Sequence, residues 1–191
     1  VRLGVYQRYS AIAFDSAGVL GLAFCGEGPG PAGSLHYYTI TGAGSGVITA
    51  QLVDRTPQMG RDTIGMSRDG EGVIYNNPSM QSLMVCRSAT YAWYLSPLDR
   101  SYFDGLATMG PYQDLSGDLD RVNDDWYASV YEDTPSQRRL LLARTTTPGA
   151  FPTGPWTYEV VDQSADVGRY NSIATDSGGT VHISYYDATN G

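Results

Sequence analysis

The chain has 191 residues, 41% of them hydrophobic, and a formal net charge of −8, so it can bury one substantial core. A surface this acidic opposes the basic stripe that phosphate contacts need, which argues against nucleic acid as a partner. The sequence also lacks an apolar run of about 20 residues that could span a membrane. Its 15 Tyr, 23 Gly and 10 Pro favour short strands joined by tight turns and predict an all-β protein.

An internal repeat organises the sequence. Each copy reads as a strand of small residues, an Asp that begins a turn, a Gly three residues later and a second strand. Asp in the first turn position accepts hydrogen bonds from the backbone that follows, and Gly supplies a positive φ. The marker residues, the third of them in a more divergent copy, are Asp15, Asp69, Asp120 and Asp176, with spacings of 54, 51 and 56 residues.

A period near 50 residues with four strands per unit is typical of a β-propeller blade. We therefore predict three four-stranded blades and the first half of a fourth, forming part of a larger ring, in blades at about 5–54, 61–98 and 113–162 and a partial blade at 169–191. In chain order the predicted strands are 8–15, 19–25, 34–42 and 46–53, then 61–68, 72–77, 80–88 and 91–98, then 116–121, 126–132, 138–146 and 156–161, then 169–175 and 180–187. A β-sandwich is the structural alternative.

Three and a half blades do not close a propeller ring, because known rings use about four to eight complete blades. The open sheet edge therefore predicts a partner. Either further blades of a longer polypeptide or another protein chain would cover it. The two cysteines, Cys25 and Cys86, fall in different predicted blades and leave the question of a disulfide open.

Residues 160–191 carry a specific family resemblance. The stretches 171–176 (Asn-Ser-Ile-Ala-Thr-Asp) and 182–187 (His-Ile-Ser-Tyr-Tyr-Asp) resemble repeats of bacterial secreted or surface β-propeller-like proteins. The similarity recurs more loosely over residues 1–27. It implies an extracellular or cell-surface β-propeller, in a family usually without assigned chemistry.

A second, local resemblance concerns residues 117–125. This acidic stretch looks like a shortened form of the calcium loop in integrin-type propeller repeats, and closely spaced side-chain oxygens are the ligands that calcium prefers. The predicted calcium ligands are Asp118, Asp120, Asn123 and Asp125. The stretch lacks the central Asp-Gly of that loop, so a solvated acidic turn is the alternative.

Three arginines occupy similar repeat positions. Arg8, Arg61 and Arg169 each precede a turn Asp by seven or eight residues and should enter a first, channel-lining strand. Guanidinium groups at equivalent positions can converge on an anion, as they do in sialidases, which are propellers that clamp a carboxylate with arginines. The alternative is that each Arg caps a blade by bonding a neighbouring carbonyl or carboxylate.

Aromatic side chains offer a different kind of surface, because sugar faces stack on Tyr and Trp rings. Packing between blades is the structural alternative for most of them. The candidates are Tyr37, Tyr38, Tyr91, Trp93, Trp126, Tyr131, Tyr185 and Tyr186.

No catalytic motif stands out in the sequence. His36 and His182 are the only histidines, and no Gly-x-Ser-x-Gly turn is present. The leading prediction is a non-catalytic, extracytoplasmic β-propeller that serves as a binding or structural scaffold. The alternatives are a sialidase-like carbohydrate-active enzyme and a glycan-binding lectin.

Overall fold

The computed structural model of the chain describes residues 6–14, 18–27, 34–41, 47–54, 64–67, 72–77, 82–89, 92–97, 116–122, 125–133, 137–145 and 156–191. These residues form strands and turns without a helix, so none of them makes a helix able to cross a membrane. The strands are β1 (Tyr6–Phe14), β2 (Leu20–Glu27), β3 (Ser34–Thr41), β4 (Val47–Asp54), β5 (Ile64–Met66), β6 (Gly72–Asn77), β7 (Ser82–Ala89), β8 (Ala92–Pro97), β9 (Ser116–Val122), β10 (Asp125–Asp133), β11 (Arg138–Thr145), β12 (Thr157–Asp162), β13 (Val167–Thr175) and β14 (Val181–Asp187).

The strands pair with their neighbours in sequence. Sheet I contains β1–β4, sheet II contains β5–β8 and sheet III contains β9–β12, each antiparallel and in chain order, while β13 and β14 form a C-terminal hairpin. The all-β prediction is confirmed. Each predicted strand overlaps an observed one, because alternating apolar and polar residues and Gly-rich turns are local signals of hairpins.

Successive sheets contact each other through their first strands. β1 contacts β5, β5 contacts β9, and β9 contacts β13. Sheets I and II enclose a core between them, because the side chains of alternate residues point to one face of a strand. The members of this core are Ala23, Leu35, Tyr37, Met66 and Val73, all buried.

Large apolar side chains fill the contact between sheet III and the hairpin. β13 contacts β9, β10 and β11, and Tyr131, Leu140, Val167 and Ile173 are all buried. Burial of each large apolar side chain stabilises the fold by about 1.5–3 kcal/mol. Burial of several such side chains fixes the hairpin on sheet III.

A buried ion pair lies near the C-terminal end of β10. Arg139 Nε donates a hydrogen bond of 2.5 Å to Glu132 Oε2, and the two side chains are 11% and 0% exposed. Glu132 and Arg139 also face each other in the register of β10 and β11. The positive charge of Arg139 thus compensates the negative charge of Glu132 at a place where water cannot solvate the carboxylate.

The predicted turn chemistry is confirmed at Asp176. Its Oδ1 accepts hydrogen bonds from Thr180 N (2.9 Å) and Gly178 N (2.8 Å), and Gly179, three residues later, has a φ of 85°. The backbone hydrogen bond from Thr180 is the largest of several interactions that hold the pKa of Asp176 below its usual value. Gly18 occupies the same place in the first repeat and has a φ of 75°.

The assignment of Asp120 as a turn residue is wrong. Asp120 lies inside β9, where it pairs with Tyr127 of β10 and is 2% exposed. β9 ends at Val122 and β10 begins at Asp125, so residue 123 follows the first strand as Asp15 and Asp176 do. Markers at 15, 69, 123 and 176 are 54, 54 and 53 residues apart, a more regular period than the one expected.

Candidate functional site

The first strand of the hairpin is irregular near its start. The β13–β14 register runs from Val167 opposite Asp187 to Arg169 opposite Tyr186, and then to Ser172 opposite Ser184, with a shift at each step. Such bulges leave extra residues on one strand and redirect their side chains. The extra residues here include Tyr170.

Tyr170 combines unusual backbone geometry with high exposure. Its φ is 51°, and it is the one non-glycine residue with positive φ in the described part of the chain. Its side chain is 84% exposed. The Tyr170 ring centroid lies 6.3 Å from that of Tyr186, at an interplanar angle of 50°, and Tyr186 is 45% exposed. The two rings form an exposed pair, which we call the tyrosine pair.

A polar clamp holds the residue next to Tyr170. Arg169 donates from Nη2 to Asp166 Oδ2 (2.8 Å) and from Nε to Asp166 Oδ1 (3.1 Å). Its Nε also lies 3.2 Å from the Tyr131 hydroxyl, which donates to Asp166 Oδ1 at 2.8 Å. Since Tyr131 belongs to β10 of sheet III, this Tyr131–Asp166–Arg169 clamp joins the hairpin to that sheet.

The clamp fixes the charge state of each member. Burial, followed by the hydrogen bond to Asp166, raises the pKa of Tyr131 to about 12. The hydrogen bond to Asp166 is the main cause that raises the pKa of Arg169. Burial favours the neutral form of Asp166, but the hydrogen bonds from Tyr131 and Arg169 and the positive charges of Arg169 and Arg138 outweigh this and lower its pKa. None of the three titrates near neutral pH, so the clamp suits positioning rather than proton transfer.

Residues on either side of Tyr170 are also held in place. Gly168 has a φ of 105°, and a Cβ there would lie 2.9 Å from Leu140 Cβ. Asn171 Nδ2 donates to Gly168 O at 2.9 Å, and Ser129 Oγ of sheet III donates to Asn171 Oδ1 at 2.6 Å. Tyr170 is therefore presented to solvent from a rigid support.

The three predicted anion-binding arginines have different outcomes. Arg169 is at the hairpin, where its guanidinium binds the carboxylate of Asp166, as the capping alternative expects. Arg8 lies on β1, whose register shifts between Gln7 and Tyr9, so a bulge recurs at the same repeat position. Arg61 lies outside the described residues. Convergence of all three on an anion stays a prediction.

The predicted calcium ligands are partly described. Asp120 Oδ2 accepts hydrogen bonds from Thr175 N (2.8 Å) and Thr175 Oγ1 (3.0 Å), which ties β9 to the hairpin. Asp125 Oδ2 pairs with Arg144 at 2.9 Å. Asp118 is on β9, and Asn123 lies outside the described residues. Among His, Cys, Asp and Glu side chains of the described residues, no group of three is placed to hold a metal, and calcium binding stays a prediction.

The aromatic candidates divide by burial. Those that pack between strands or sheets are Tyr37, Trp126 and Tyr131, with 7%, 1% and 4% exposure. Tyr185 and Tyr186 of β14 are exposed, whereas Tyr91 lies outside the described residues. Sequence reasoning missed Tyr170. The available signal was the Arg-Tyr dipeptide that occurs seven residues before the turn at both 8–9 and 169–170.

Comparison with solved structures supports the fold. A bifunctional GH43-CE protein from Bacteroides eggerthii matches with a TM-score of 0.54 and 17% identity, over 94% of this chain and 22% of that one. This chain thus spans about a fifth of that protein. A fucose lectin from Kordia zhangzhouensis, solved with methyl-fucoside, matches with a TM-score of 0.44 and 10% identity, over 82% of this chain and 100% of that one. No protein-family model and no curated protein matches the sequence.

Proposed function

We propose that sheets I, II and III and the hairpin are consecutive blades of a β-propeller. Each sheet is an antiparallel meander in chain order, the first strands are successive neighbours, and the markers recur every 53 or 54 residues. These are properties of propeller blades arranged around an axis. The likeness to the GH43-CE protein supports a shared fold at low identity.

We further propose that the chain is a non-catalytic, extracytoplasmic binding module whose ligand is a glycan. Tyr170 is the observation that carries this proposal. A non-glycine residue in the left-handed region costs about 1–3 kcal/mol and persists only where its surroundings enforce it, often at ligand sites. Here the bulges, Gly168 and the clamp enforce it, and the product is an aromatic ring 84% exposed.

The tyrosine pair has the chemistry of a sugar-binding surface. The C–H face of a pyranose packs on an aromatic ring, while its hydroxyl groups need hydrogen-bond partners at the rim. The Arg169 guanidinium, 38% exposed, is adjacent in sequence to Tyr170 and offers such donors. The GH43-CE protein of similar fold is a carbohydrate-active protein, which agrees with this class of ligand.

The repeat adds a second proposed site. Arg8 and Tyr9 occupy the positions of Arg169 and Tyr170, seven and six residues before the turn Asp, and β1 also shifts register there. Two weak sugar sites on one rigid frame raise the apparent affinity for a glycan that reaches both. The ligand favoured by this arrangement is a polysaccharide or a branched glycan rather than a free monosaccharide.

A glycan array followed by calorimetry with the best oligosaccharide tests the proposal. We expect Tyr170→Ala to weaken binding at least about 10-fold, as loss of a central aromatic contact does, and Tyr170→Phe to keep most of the affinity because the ring remains. Tyr185→Ala is the matched control, because it also removes an exposed tyrosine from the hairpin. The Tyr185 hydroxyl donates a hydrogen bond to Asp162 Oδ2 (2.7 Å), and Tyr185 is not a member of the tyrosine pair. Absence of any array signal, or equal loss in Tyr170→Ala and Tyr185→Ala, contradicts the proposal.

A further inference from the structure

A second polar pair lies beside the clamp, at one end of sheet III. Asp133 is the last residue of β10 and Arg138 is the first residue of β11, and the two are opposite each other in the register. Arg138 Nε donates a hydrogen bond to Asp133 Oδ1 at 2.8 Å. We call these two residues the Arg138–Asp133 pair.

The pair is accessible although sheet III has a neighbour on each side. β9 contacts β5 and β6 of sheet II, and β13 of the hairpin contacts β9, β10 and β11. With these neighbours in place, the side chain of Arg138 is 52% exposed and that of Asp133 is 25% exposed. The exposure arises because both residues are at the ends of their strands, and not on the middle of a sheet face where blades pack.

Stability does not account for the Arg138–Asp133 pair. An ion pair this exposed contributes little to folding, because water already solvates both charges. The buried pair of Glu132 and Arg139, one residue further in on each strand, already joins this end of β10 to β11. The outer pair is therefore available for a role at the surface.

The pair also keeps a donor and an acceptor for a ligand. A guanidinium group has N–H donors on all three nitrogen atoms, and in Arg138 the Nε binds Asp133 while the Nη1 lies 3.4 Å from Asp166 Oδ2. Among the residues that the structure describes, none bonds to Nη2 of Arg138 or to Oδ2 of Asp133. A donor next to an acceptor fits two adjacent sugar hydroxyls, because one hydroxyl can accept while the other donates.

Asp166 connects this pair to the proposed glycan site. Its Oδ2 lies 2.8 Å from Arg169 Nη2 and 3.4 Å from Arg138 Nη1. The two nitrogen atoms are therefore at most 6.2 Å apart, the sum of these distances. That spacing is comparable to the length of one sugar ring, and Arg169 directly precedes Tyr170. A sugar chain that stacks on the tyrosine pair can thus place its next unit at the Arg138–Asp133 pair.

We propose that the Arg138–Asp133 pair binds the second sugar of a glycan whose first sugar stacks on the tyrosine pair. This inference rests on the proposed glycan-binding function and adds the class of glycan, an oligosaccharide of at least two units with adjacent hydroxyl groups on the second. Asp133 Oδ2 accepts a hydrogen bond from one hydroxyl, and Arg138 Nη2 donates a hydrogen bond to its neighbour. Arg138 then determines the preference for a disaccharide over a monosaccharide.

A chain-length series in an NMR titration, which also measures millimolar dissociation constants, tests this inference. The probes are glucose, galactose, mannose and xylose, each as the methyl glycoside and as oligosaccharides of two to four units. For the sugar that binds, we expect the disaccharide to bind about 10-fold more tightly than the methyl glycoside, since it adds hydrogen bonds to charged groups. Arg138→Gln should remove this gain and leave the dissociation constant of the methyl glycoside unchanged. Asp133→Asn, which replaces the carboxylate by an amide, should reduce the gain.

Arg144→Gln is the matched control, and it should keep the full gain. Arg144 is also on β11, is 45% exposed and pairs with a carboxylate of β10, that of Asp125, at 2.9 Å, but it lies at the opposite end of sheet III. Both substitutions remove one positive charge from an exposed ion pair. A difference between them therefore reports the position of the arginine and not the net charge of the chain.

The possible failures separate this inference from the proposed function. If the disaccharide binds no more tightly than the methyl glycoside while Tyr170→Ala still weakens binding, the inference is wrong and the glycan function stands. Equal weakening of both ligands by Arg138→Gln also overturns the inference, because Arg138 would then act through Asp166 and the clamp. Equal effects of Arg138→Gln and Arg144→Gln overturn it as well. If none of the sugars binds, the proposed function fails and this inference fails with it.

Discussion

Replacement of Asp120 should destabilise the fold by removing the carboxylate that joins β9 to the hairpin. Asp120 and Thr175 are each 2% exposed, and Asp120 Oδ2 accepts from both the backbone N and the hydroxyl of Thr175. A hydrogen bond to a charged group contributes about 1.5–3 kcal/mol, and a buried donor left unsatisfied costs about 1–3 kcal/mol. We expect Asp120→Ala to lower the free energy of unfolding by about 3 kcal/mol and Asp120→Asn, which keeps an acceptor oxygen, by about 1 kcal/mol.

Urea unfolding of both variants, in EDTA and in calcium, measures these values. With a slope of about 2–3 kcal/mol per molar urea, the loss in Asp120→Ala shifts the midpoint by about 1 M or more. Since the Thr175 contacts need no metal, the loss should be equal in the two buffers. A loss seen only in calcium would refute this reasoning and would instead favour Asp120 as a calcium ligand. An Asn variant as unstable as the Ala variant would also refute it.

Two further changes test local features. Gly168→Ala should cost more than Gly18→Ala: both place a side chain at positive φ, which costs about 1 kcal/mol or more, but only at Gly168 would the Cβ meet Leu140, at 2.9 Å. Equal urea midpoints for the two variants would contradict the predicted clash. Burial lowers the pKa of His36 in the folded state below its unfolded value of about 6.5. The stability that depends on neutral His36 is therefore fully present above the unfolded pKa, and it is lost as the pH falls through the lower pKa of the folded state. His36→Gln should therefore lose less stability between pH 7.5 and pH 5 than the wild type, and an unchanged slope would count against this assignment.

The strands were predictable because their signals are local. Alternation with period two and an Asp and Gly three residues apart depend only on neighbours in sequence, so the turn from Asp176 to Gly179 was foreseen in its chemistry as well as its place. Asp120 was assigned wrongly to a turn for the same reason. Its environment is set by Thr175, 55 residues away, and local spacing cannot distinguish a buried acceptor from a residue that starts a turn.

The site was less predictable because it depends on register. Arg169 was predicted to bind an anion together with Arg8 and Arg61, which stays a prediction, and a bond to a neighbouring carboxylate was the alternative. Asp166 and Tyr131 come together with Arg169 only after β13 packs on sheet III. The exposure of Tyr170 follows from extra residues opposite β14, and a sequence does not show which residue a bulge will contain. Burial of Tyr131 had a signal, since packing was already the structural alternative for most aromatics.

The location of the clamp explains how a strained tyrosine can persist at the proposed glycan site. Tyr170 is adjacent to Arg169, which Asp166 and Tyr131 hold. It is two residues from Gly168, where a Cβ would lie only 2.9 Å from Leu140 Cβ. These contacts all lie between the hairpin and sheet III, so the packing that stabilises the junction also enforces the backbone of Tyr170. A ligand that stacks on Tyr170 therefore meets a ring already oriented, and little conformational entropy is lost on binding.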